Sequence, residues 1–154
     1  ELLESHKSGV RRAAEEGRSP MSEKYAWMMR TTEPAAFQAI AHMLTPPNQI
    51  TTGYIDEIVA IFLLWQKATM EEHPCLTRNG RALTQAEDAP GSTSFETYLR
   101  GELMAMDPAS IALYRAYVKD CEALGRNLAR ENLDAIVQSY GYKDAKSAEE
   151  AIAC

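Results

Sequence analysis

A continuous apolar run at residues 58–65 is the feature that most constrains the fold of this chain. Helix-compatible residues continue on both sides of the run, and neither Gly nor Pro occurs between Gly53 and Pro74. Length and flanks therefore favour a helix at residues 52–70 over a buried strand. Its apolar positions cover most of a helical wheel, and they are Tyr54, Ile58, Val59, Ile61, Phe62, Leu63, Leu64, Trp65 and Ala68.

A helix that is apolar nearly all round is typical of the centre of a helical domain. We therefore expect Ile58, Ile61, Phe62 and Trp65 to be among the most buried residues of the chain. The run is too short to span a bilayer, which needs about 20 apolar residues.

Composition restricts the class of protein. The chain has 154 residues, 45% of them hydrophobic and 25% charged, which is ordinary for one soluble globular domain at residues 1–154. Its net charge of −6 argues against non-specific binding to nucleic acid or to an anionic membrane, because both need a concentrated basic surface. No segment has the pattern of a signal peptide or a transmembrane span, so we expect a cytoplasmic protein. Cys75, Cys121 and Cys154 are too widely spaced for a disulfide framework or a metal knuckle and are expected to be free thiols.

Caps and stop signals divide the rest of the chain into further helices. Helix ends are expected at Gly17, Gly125 and Gly141. Helix starts are expected at Ser19-Pro20, Glu33-Pro34, Asp107-Pro108 and Asn127. Capping boxes are predicted from Thr93 to Glu96 and from Ser147 to Glu150. The apolar stripe of the first helix comprises Leu2, Leu3, His6, Val10, Ala13 and Ala14. The pattern predicts an all-α fold, a multi-helix bundle of seven or eight helices around the central apolar helix.

The segment between Cys75 and Ser92 lacks a helical pattern. It contains an Asn79-Gly80 dipeptide, which is compatible with a short hairpin, and it ends in a turn-rich acidic stretch. Loops longer than about 12 to 15 residues are uncommon in compact domains and tend to be functional or disordered. The loop is therefore one wall of a candidate site.

Two helix pairs match each other at a constant offset and without gaps. The matched residues are Leu3 with Ile111, His6 with Tyr114, Val10 with Val118, Ala13 with Cys121, Gly17-Arg18-Ser19 with Gly125-Arg126-Asn127, Glu23 with Glu131, Met28 with Ile136 and Met29 with Val137. In each pair Gly ends one helix and Ser or Asn starts the next. Agreement of core face and turn together indicates duplicated helical hairpins at residues 1–30 and 110–137. The chain opens on Glu1-Leu2-Leu3 in a helical pattern, so we expect that it lacks an N-terminal half-repeat.

Several motifs carry a resemblance to a known family. They are Glu16-Gly17-Arg18, Glu23-Lys24-Tyr25-Ala26 with Met28-Met29, Ser94-Phe95-Glu96-Thr97-Tyr98-Leu99-Arg100-Gly101-Glu102-Leu103, Gly125-Arg126-Asn127-Leu128-Ala129 and Tyr140-Gly141-Tyr142. With these motifs the chain resembles an uncharacterised bacterial family, domain of unknown function 4125, over nearly its whole length. Members of that family usually begin earlier, with a first half-repeat, and have Asn-Leu where this chain has Ser19-Pro20. The resemblance supports the architecture and implies no activity, because the family has none established.

Glu102 is the polar residue that the sequence marks most clearly. On the helical wheel it lies in the middle of an apolar stripe, among Phe95, Tyr98, Leu99 and Met106. A carboxylate in that position is either paired or neutralised by a raised pKa. One interpretation is a structural tie to an arginine, with three candidates: Arg126, Arg18 and Arg81. The other is a small cleft under the loop that also contains Glu87, Asp88, Arg78 and Arg81.

Motifs of known chemistry are otherwise missing from the sequence. It contains no Ser-His-Asp arrangement, phosphate loop or dinucleotide fingerprint, so no catalytic residue and no cofactor is assigned. His73 and Cys75, even with the acids of the loop, lack the spacing of a metal site, and no metal is assigned. Glu96 and Arg100 have the spacing of a solvated surface pair.

Trp27 lies on the charged side of its helix, with Glu23, Lys24 and Arg30. A tryptophan in such a position either covers a neighbouring element or marks an interface, so we expect it to be partly exposed or covered by another chain. Two functions stay open. The first is a helical interaction or scaffold module that associates with a protein, or with itself, through the Trp27 face. The second is a small-ligand-binding or enzymatic domain that uses acids and arginines under the 75–94 loop; the missing nucleophile–base pair favours the first.

Overall fold

The computed structural model describes residues 1–152, and that range contains nine α-helices and no β-strand. The helices are α1 (Leu2–Glu15), α2 (Pro20–Thr32), α3 (Pro34–Ile40), α4 (Gln49–Glu72), α5 (Pro74–Thr77), α6 (Phe95–Met104), α7 (Pro108–Ala123), α8 (Leu128–Ser139) and α9 (Ala145–Ala151). Short 3₁₀ helices occur at Ala41–Met43 and Gln85–Glu87. The all-α prediction is confirmed.

The central helix of the bundle is α4, which packs against α6, α7 and α8. It begins after Asn48, whose side chain accepts a hydrogen bond from the Thr51 N–H, and it ends before His73. The main core cluster joins α4 to α6 and α7, and it contains Ile55, Ile58, Val59, Ile61, Leu99, Leu103, Ile111 and Val118. Burial of this apolar face is what holds the bundle together.

Burial along α4 is less complete than its composition predicts. Ile58 and Ile61 are buried, as expected, but Phe62 and Trp65 are only half-buried and pack against the core from its edge. Leu64 is 68% exposed. The expectation of deep burial is therefore wrong for Phe62 and Trp65, because the neighbouring helices leave one side of α4 open to solvent.

The inward face of α1 also differs from the predicted stripe. The residues of α1 that are buried or half-buried are Leu2, Ser5, Gly9 and Ala13, whereas Leu3, His6, Val10 and Ala14 are exposed. On the inward face, Ser5 Oγ lies 3.0 Å from Ser110 Oγ of α7. Small side chains let α1 approach α7 closely, so the larger apolar residues lie on the adjacent, open face. The predicted burial of Leu3, His6, Val10 and Ala14 is wrong.

The α1–α2 and α7–α8 turns have nearly the same backbone geometry. Gly17 and Gly125 have φ angles of +70° and +68°, in the left-handed region that favours glycine. Ser19 and Asn127 follow with φ angles of −117° and −120°, and each caps the next helix through its side chain. Both predicted helix stops and both predicted caps are confirmed.

Each turn also carries the same ion pair. Arg18 lies 3.2 Å from Glu23, and Arg126 lies 2.6 Å from Glu131, so in both turns the arginine meets the glutamate five residues further on. The helices that each turn joins pack on different neighbours. In the first pair, α1 packs on α7 and α2 packs on α6 and α3; in the second, α7 packs on α4 and α1, and α8 packs on α4 and α9.

Two predicted capping boxes are displaced along the chain. The N-cap of α6 is Ser94, not Thr93, and its side chain accepts from the Thr97 N–H. The N-cap of α9 is Asp144, whose side chain accepts from the Ser147 N–H. Aspartate is as good a cap as serine, so α9 begins after Asp144, the earlier of its two suitable residues.

The short helix α5 overlaps the start of the 75–94 loop, and the loop contains no hairpin. The Gly80 N–H donates to the Thr77 carbonyl at 2.9 Å, so Asn79 lies in a tight turn and the suggested hairpin is wrong. Cys121 is a buried free thiol, as predicted, whereas Cys75 is disulfide-bonded. The free-thiol prediction fails at Cys75 because spacing along the sequence does not limit which residues the fold brings together. Cys154 lies outside the described residues.

Among the helices of residues 1–152, none combines the length and the apolar character that a membrane span requires.

Candidate functional site

Glu102 lies on α6 at the edge of the core, where its side chain is 43% exposed. Its Oε1 accepts a hydrogen bond of 2.5 Å from Nζ of Lys24, whose side chain is only 12% exposed. The same Nζ donates to the Tyr98 hydroxyl at 2.6 Å and lies 4.0 Å from the centre of the Tyr98 ring. The prediction that Glu102 is paired is therefore right, and the prediction that its partner is an arginine is wrong.

Close packing of α2 on α6 explains why a lysine takes this place. A Cβ on Gly101 would lie 2.9 Å from the Lys24 carbonyl oxygen and 2.9 Å from Cγ of Met28. The two helices therefore touch beside Glu102, while Arg18 and Arg126 pair with glutamates at their own turns. In the sequence Lys24 belongs to the charged side of α2, and only the tertiary pairing of the two helices brings it to Glu102.

Hydrogen bonds and burial fix the protonation of Lys24 and of the neighbouring Tyr114. Burial alone would lower the pKa of Lys24, but the hydrogen bonds with Glu102 and Tyr98 outweigh it and raise the pKa above its ordinary value. Burial, with a smaller contribution from the charge of Glu102, raises the pKa of Tyr114 to about 12. Both groups keep their protons at neutral pH. They therefore supply neither a neutral amine for nucleophilic attack nor a general base.

A cleft of about 780 Å³ opens beside the ion pair. Its walls are the C-terminal part of α1, the first turns of α2, residues 45–48 and residues 102–108. Apolar lining residues include Val10, Met21, Met104 and Met106. Charged lining residues are Glu16, Arg18, Glu23, Lys24, Glu102 and Asp107. This volume is within the usual range of binding sites, about 300 to 1,000 Å³.

Two large apolar side chains of α1 are exposed, and one of them, Val10, lines the cleft. Leu3 is 63% exposed and Val10 is 42% exposed. Their matched residues in α7, Ile111 and Val118, are both 0% exposed and belong to the core cluster with α4. The same positions of the two helices are therefore covered by a helix in α7 and open to solvent in α1.

Three of the other predicted site residues lie away from the cleft. Arg126 donates to both carboxylate oxygens of Glu131, at 2.9 and 2.6 Å. Glu87 accepts from the Thr84 N–H at 3.1 Å and caps a 3₁₀ helix. Arg78 is exposed. None of the three lines the cleft.

Arg81 contacts Tyr98, the residue whose hydroxyl binds Lys24. Its guanidinium carbon lies 4.5 Å from the centre of the Tyr98 ring, and its Nη1 donates to the Thr93 carbonyl at 3.0 Å. Tyr98 thus contacts two cations, Arg81 and Lys24. Arg81 supports the tyrosine that holds Lys24 and does not itself line the cleft.

Asp88 fastens the loop to the start of α6. Its carboxylate accepts from the Ser94 N–H at 2.8 Å and from the Thr97 hydroxyl at 2.6 Å. Burial alone would raise the pKa of Asp88, but hydrogen bonds from Thr31, Thr97 and Ser94 outweigh it and hold the pKa below its ordinary value. The residue is a structural anchor of the loop.

Trp27 is half-buried, with its ring centre 5.8 Å from that of Phe37 in α3. It covers a neighbouring helix, and it is partly exposed as predicted. Arg100 lies 3.6 Å from Glu96, but the two side chains are only 21% and 13% exposed, so the prediction of a solvated pair is wrong. Arg100 also lies 2.5 Å from Asp56 of α4. Within residues 1–152 no group of three or more His, Cys, Asp and Glu side chains has the geometry to hold a metal ion.

Comparison with protein families matches residues 1–150 to a family described as "Protein of unknown function (DUF4125)". The match covers all but the last four of the 154 residues. Neither the curated proteins nor the solved structures gave a match.

Proposed function

Because the chain belongs to DUF4125, a family of proteins of unknown function, we propose its function from its geometry: it is an interaction module in which α1 docks an apolar helix of a protein partner. The docking surface is the open apolar stripe of α1, Leu3 to Val10, together with the cleft beside it. This surface replaces the Trp27 face of the sequence analysis, because Trp27 already packs on Phe37.

One observation carries the proposal, and it is the contrast between α1 and α7. The two helix pairs match in sequence and share their turn geometry, which supports a duplication. In the second copy, Ile111 and Val118 are covered by α4. An apolar helix such as α4 is therefore the occupant that the equivalent surface of α1 fits.

The cleft suits a helix that inserts apolar side chains into it. Met21, Met104 and Met106 line it together with Val10, and methionine adapts its shape to apolar partners. The pair of Lys24 and Glu102 lines one side of the cleft, and no observation favours an enzyme.

Binding of a peptide with the sequence of α4, residues 49–72, tests the proposal directly. Fluorescence anisotropy of the labelled peptide should show saturable binding to the protein, and circular dichroism should show helix formation on binding. The Leu3→Asp and Val10→Asp variants should each weaken binding at least tenfold, because they put a charge into the apolar contact. Leu64→Asp is the matched control, since Leu64 is 68% exposed on α4 and does not line the cleft.

Two results would contradict the proposal. A peptide that fails to bind means that the open stripe of α1 does not accept a helix of this chemistry. A peptide that binds equally well to the Leu3 and Val10 variants binds elsewhere, for instance by exchange with α4 itself. Sedimentation of the protein alone would show whether a second copy of the chain occupies the surface instead.

A further inference from the structure

We propose that the partner helix carries a carboxylate beside its apolar stripe, and that Lys7 and Arg11 of α1 recognise it. This inference depends on the proposed docking of a helix on α1 and specifies the chemistry of that helix. It comes from the basic rim that lies beside the apolar stripe on both α1 and α7.

The interface between α7 and α4 provides the template. Arg115 of α7 contacts Oε2 of Glu57 of α4 through Nη2 at 2.8 Å and Nε at 3.0 Å. Lys119, one turn further along α7, lies 4.0 Å from the same oxygen. Glu57 directly precedes the fully buried Ile58, so the carboxylate and the apolar stripe of α4 bind α7 side by side.

The guanidinium of Arg115 has a second contact with α4. Its Cζ lies 4.7 Å from the centre of the Tyr54 ring, which packs against the core cluster. Arg115 therefore binds an acidic and an aromatic residue three positions apart on one helix. This double contact suits the flat guanidinium, which stacks on rings and donates in its own plane.

The same two positions are basic in α1. The offset that matches Leu3 with Ile111 also matches Lys7 with Arg115 and Arg11 with Lys119. Lys7 and Arg11 are one helical turn apart and are exposed, beside the open stripe. The rim of α1 therefore repeats the charges that hold Glu57 on α7.

The cations of α1 have no strong partner within the described part of the chain. Lys7 pairs with Glu4 of its own helix at 3.0 Å, but both side chains are more than half exposed, at 57% and 74%. Such a pair adds little stability and is easily exchanged for another carboxylate. Arg11 makes no ion pair or side-chain hydrogen bond with residues 1–152. A carboxylate on a docked helix would complete the arrangement that α7 already has.

A double-mutant cycle between peptide and protein tests the inference. The probes are the peptide of residues 49–72 and the same peptide with Glu57→Gln, and the proteins are the wild type and the Lys7→Gln and Arg11→Gln variants. We expect Glu57→Gln to weaken binding to the wild type about three- to tenfold. This range is typical of interface charge pairs that are exposed or partly buried. Lys7→Gln, at the position that matches Arg115, should weaken binding of the unsubstituted peptide by a similar factor, and Arg11→Gln should weaken it less. Neither variant should change binding of the Glu57→Gln peptide.

Arg78→Gln is the matched control, because Arg78 is an exposed arginine away from the cleft and its loss changes the net charge equally. That variant should bind both peptides as the wild type does. The two proposals fail in different ways. If both peptides bind the wild type equally, the carboxylate contact is refuted and the docking of a helix stands. If neither peptide binds, the docking itself is refuted.

Discussion

Lys24 and Glu102 form an ion pair whose two members have very different environments. The lysine side chain is 12% exposed and the glutamate side chain 43% exposed. Loss of the carboxylate therefore leaves the more buried side chain without its ion-pair partner. A buried cation keeps its full desolvation penalty when its partner is removed. The stability of the cleft wall thus depends on the glutamate more than its own exposure indicates.

Replacing Glu102 by Gln should lower the free energy of unfolding by about 1 to 3 kcal/mol, because a charge-assisted hydrogen bond to a largely buried lysine side chain is lost. Combining Lys24→Met with Glu102→Leu should recover much of that loss. Urea denaturation of the single and double variants measures both effects. Glu71→Gln serves as the control, since Glu71 is exposed, and should change stability by less than about 0.5 kcal/mol. An increase in stability on Glu102→Gln would instead indicate that the pair is kept for binding at the expense of stability.

Asp88 should make part of the stability of the protein dependent on pH. Its folded-state pKa is below the ordinary value, because hydrogen bonds from Thr31, Thr97 and Ser94 outweigh the effect of burial. A depressed carboxyl pKa contributes stability that is fully present above the unfolded pKa, about 3.9 for Asp, and is lost as the pH falls through the folded pKa.

The Asp88→Asn variant should therefore be less stable than the wild type at pH 7, and the difference should shrink as the pH falls below about 4. Thermal unfolding at several pH values checks this. Asp120→Asn is the control, because Asp120 is exposed and should show no such convergence. A gap between Asp88→Asn and wild type that stays constant down to acid pH would disprove the role of ionised Asp88.

Helices and turns that depend on local sequence signals were predicted correctly. The apolar run of α4 predicts a helix, and Gly17 and Gly125 predict a left-handed residue before each cap. No such signal marks the inward face of α1. Ser5 and Gly9, which let α1 approach α7 closely, are not hydrophobic residues.

The candidate site was predictable only in part for a similar reason. The position of Glu102 in its stripe indicated a paired carboxylate, and a pair is what the structure has. Its partner depends on which helix packs on α6, and Lys24 has no feature in the sequence that distinguishes it from other surface lysines. The matched positions of α1 and α7 are visible in the sequence. Their difference in exposure is not, because it depends on how the helices pack in the bundle.

Gly101 should show how closely α2 and α6 are packed. Its Cβ would lie 2.9 Å from a backbone oxygen, so Gly101→Ala should force the helices apart and lower the free energy of unfolding by about 1 to 3 kcal/mol. Gly53 lies in α4 with nothing within 4 Å of a Cβ, so Gly53→Ala should raise it by about 0.5 to 1 kcal/mol. Chemical denaturation of the two variants side by side checks the opposite signs. Equal effects would mean that the close contact between α2 and α6 does not exist in solution.

For the whole molecule, the consequence of the two matched helix pairs is an asymmetric bundle. The second pair lies within the core, with α4 over α7 and with α8 between α4 and α9. The first pair is buried on the sides that face α7, α6 and α3, whereas Leu3 and Val10 of α1 are exposed. This exposed surface of α1 is the docking site that we propose.

Matched alanine substitutions in α1 and α7 should therefore differ sharply in their effect on folding. Leu3→Ala and Val10→Ala remove side chains that are 63% and 42% exposed, so each should change the free energy of unfolding by less than about 1 kcal/mol. Ile111→Ala should lower it by about 2 to 5 kcal/mol, because a fully buried side chain is lost and a cavity is left. Urea denaturation of the three variants measures the contrast in one set of conditions. If Leu3→Ala were as destabilising as Ile111→Ala, then α1 would already be covered in the isolated chain, and the surface on which the proposed partner docks would not be free.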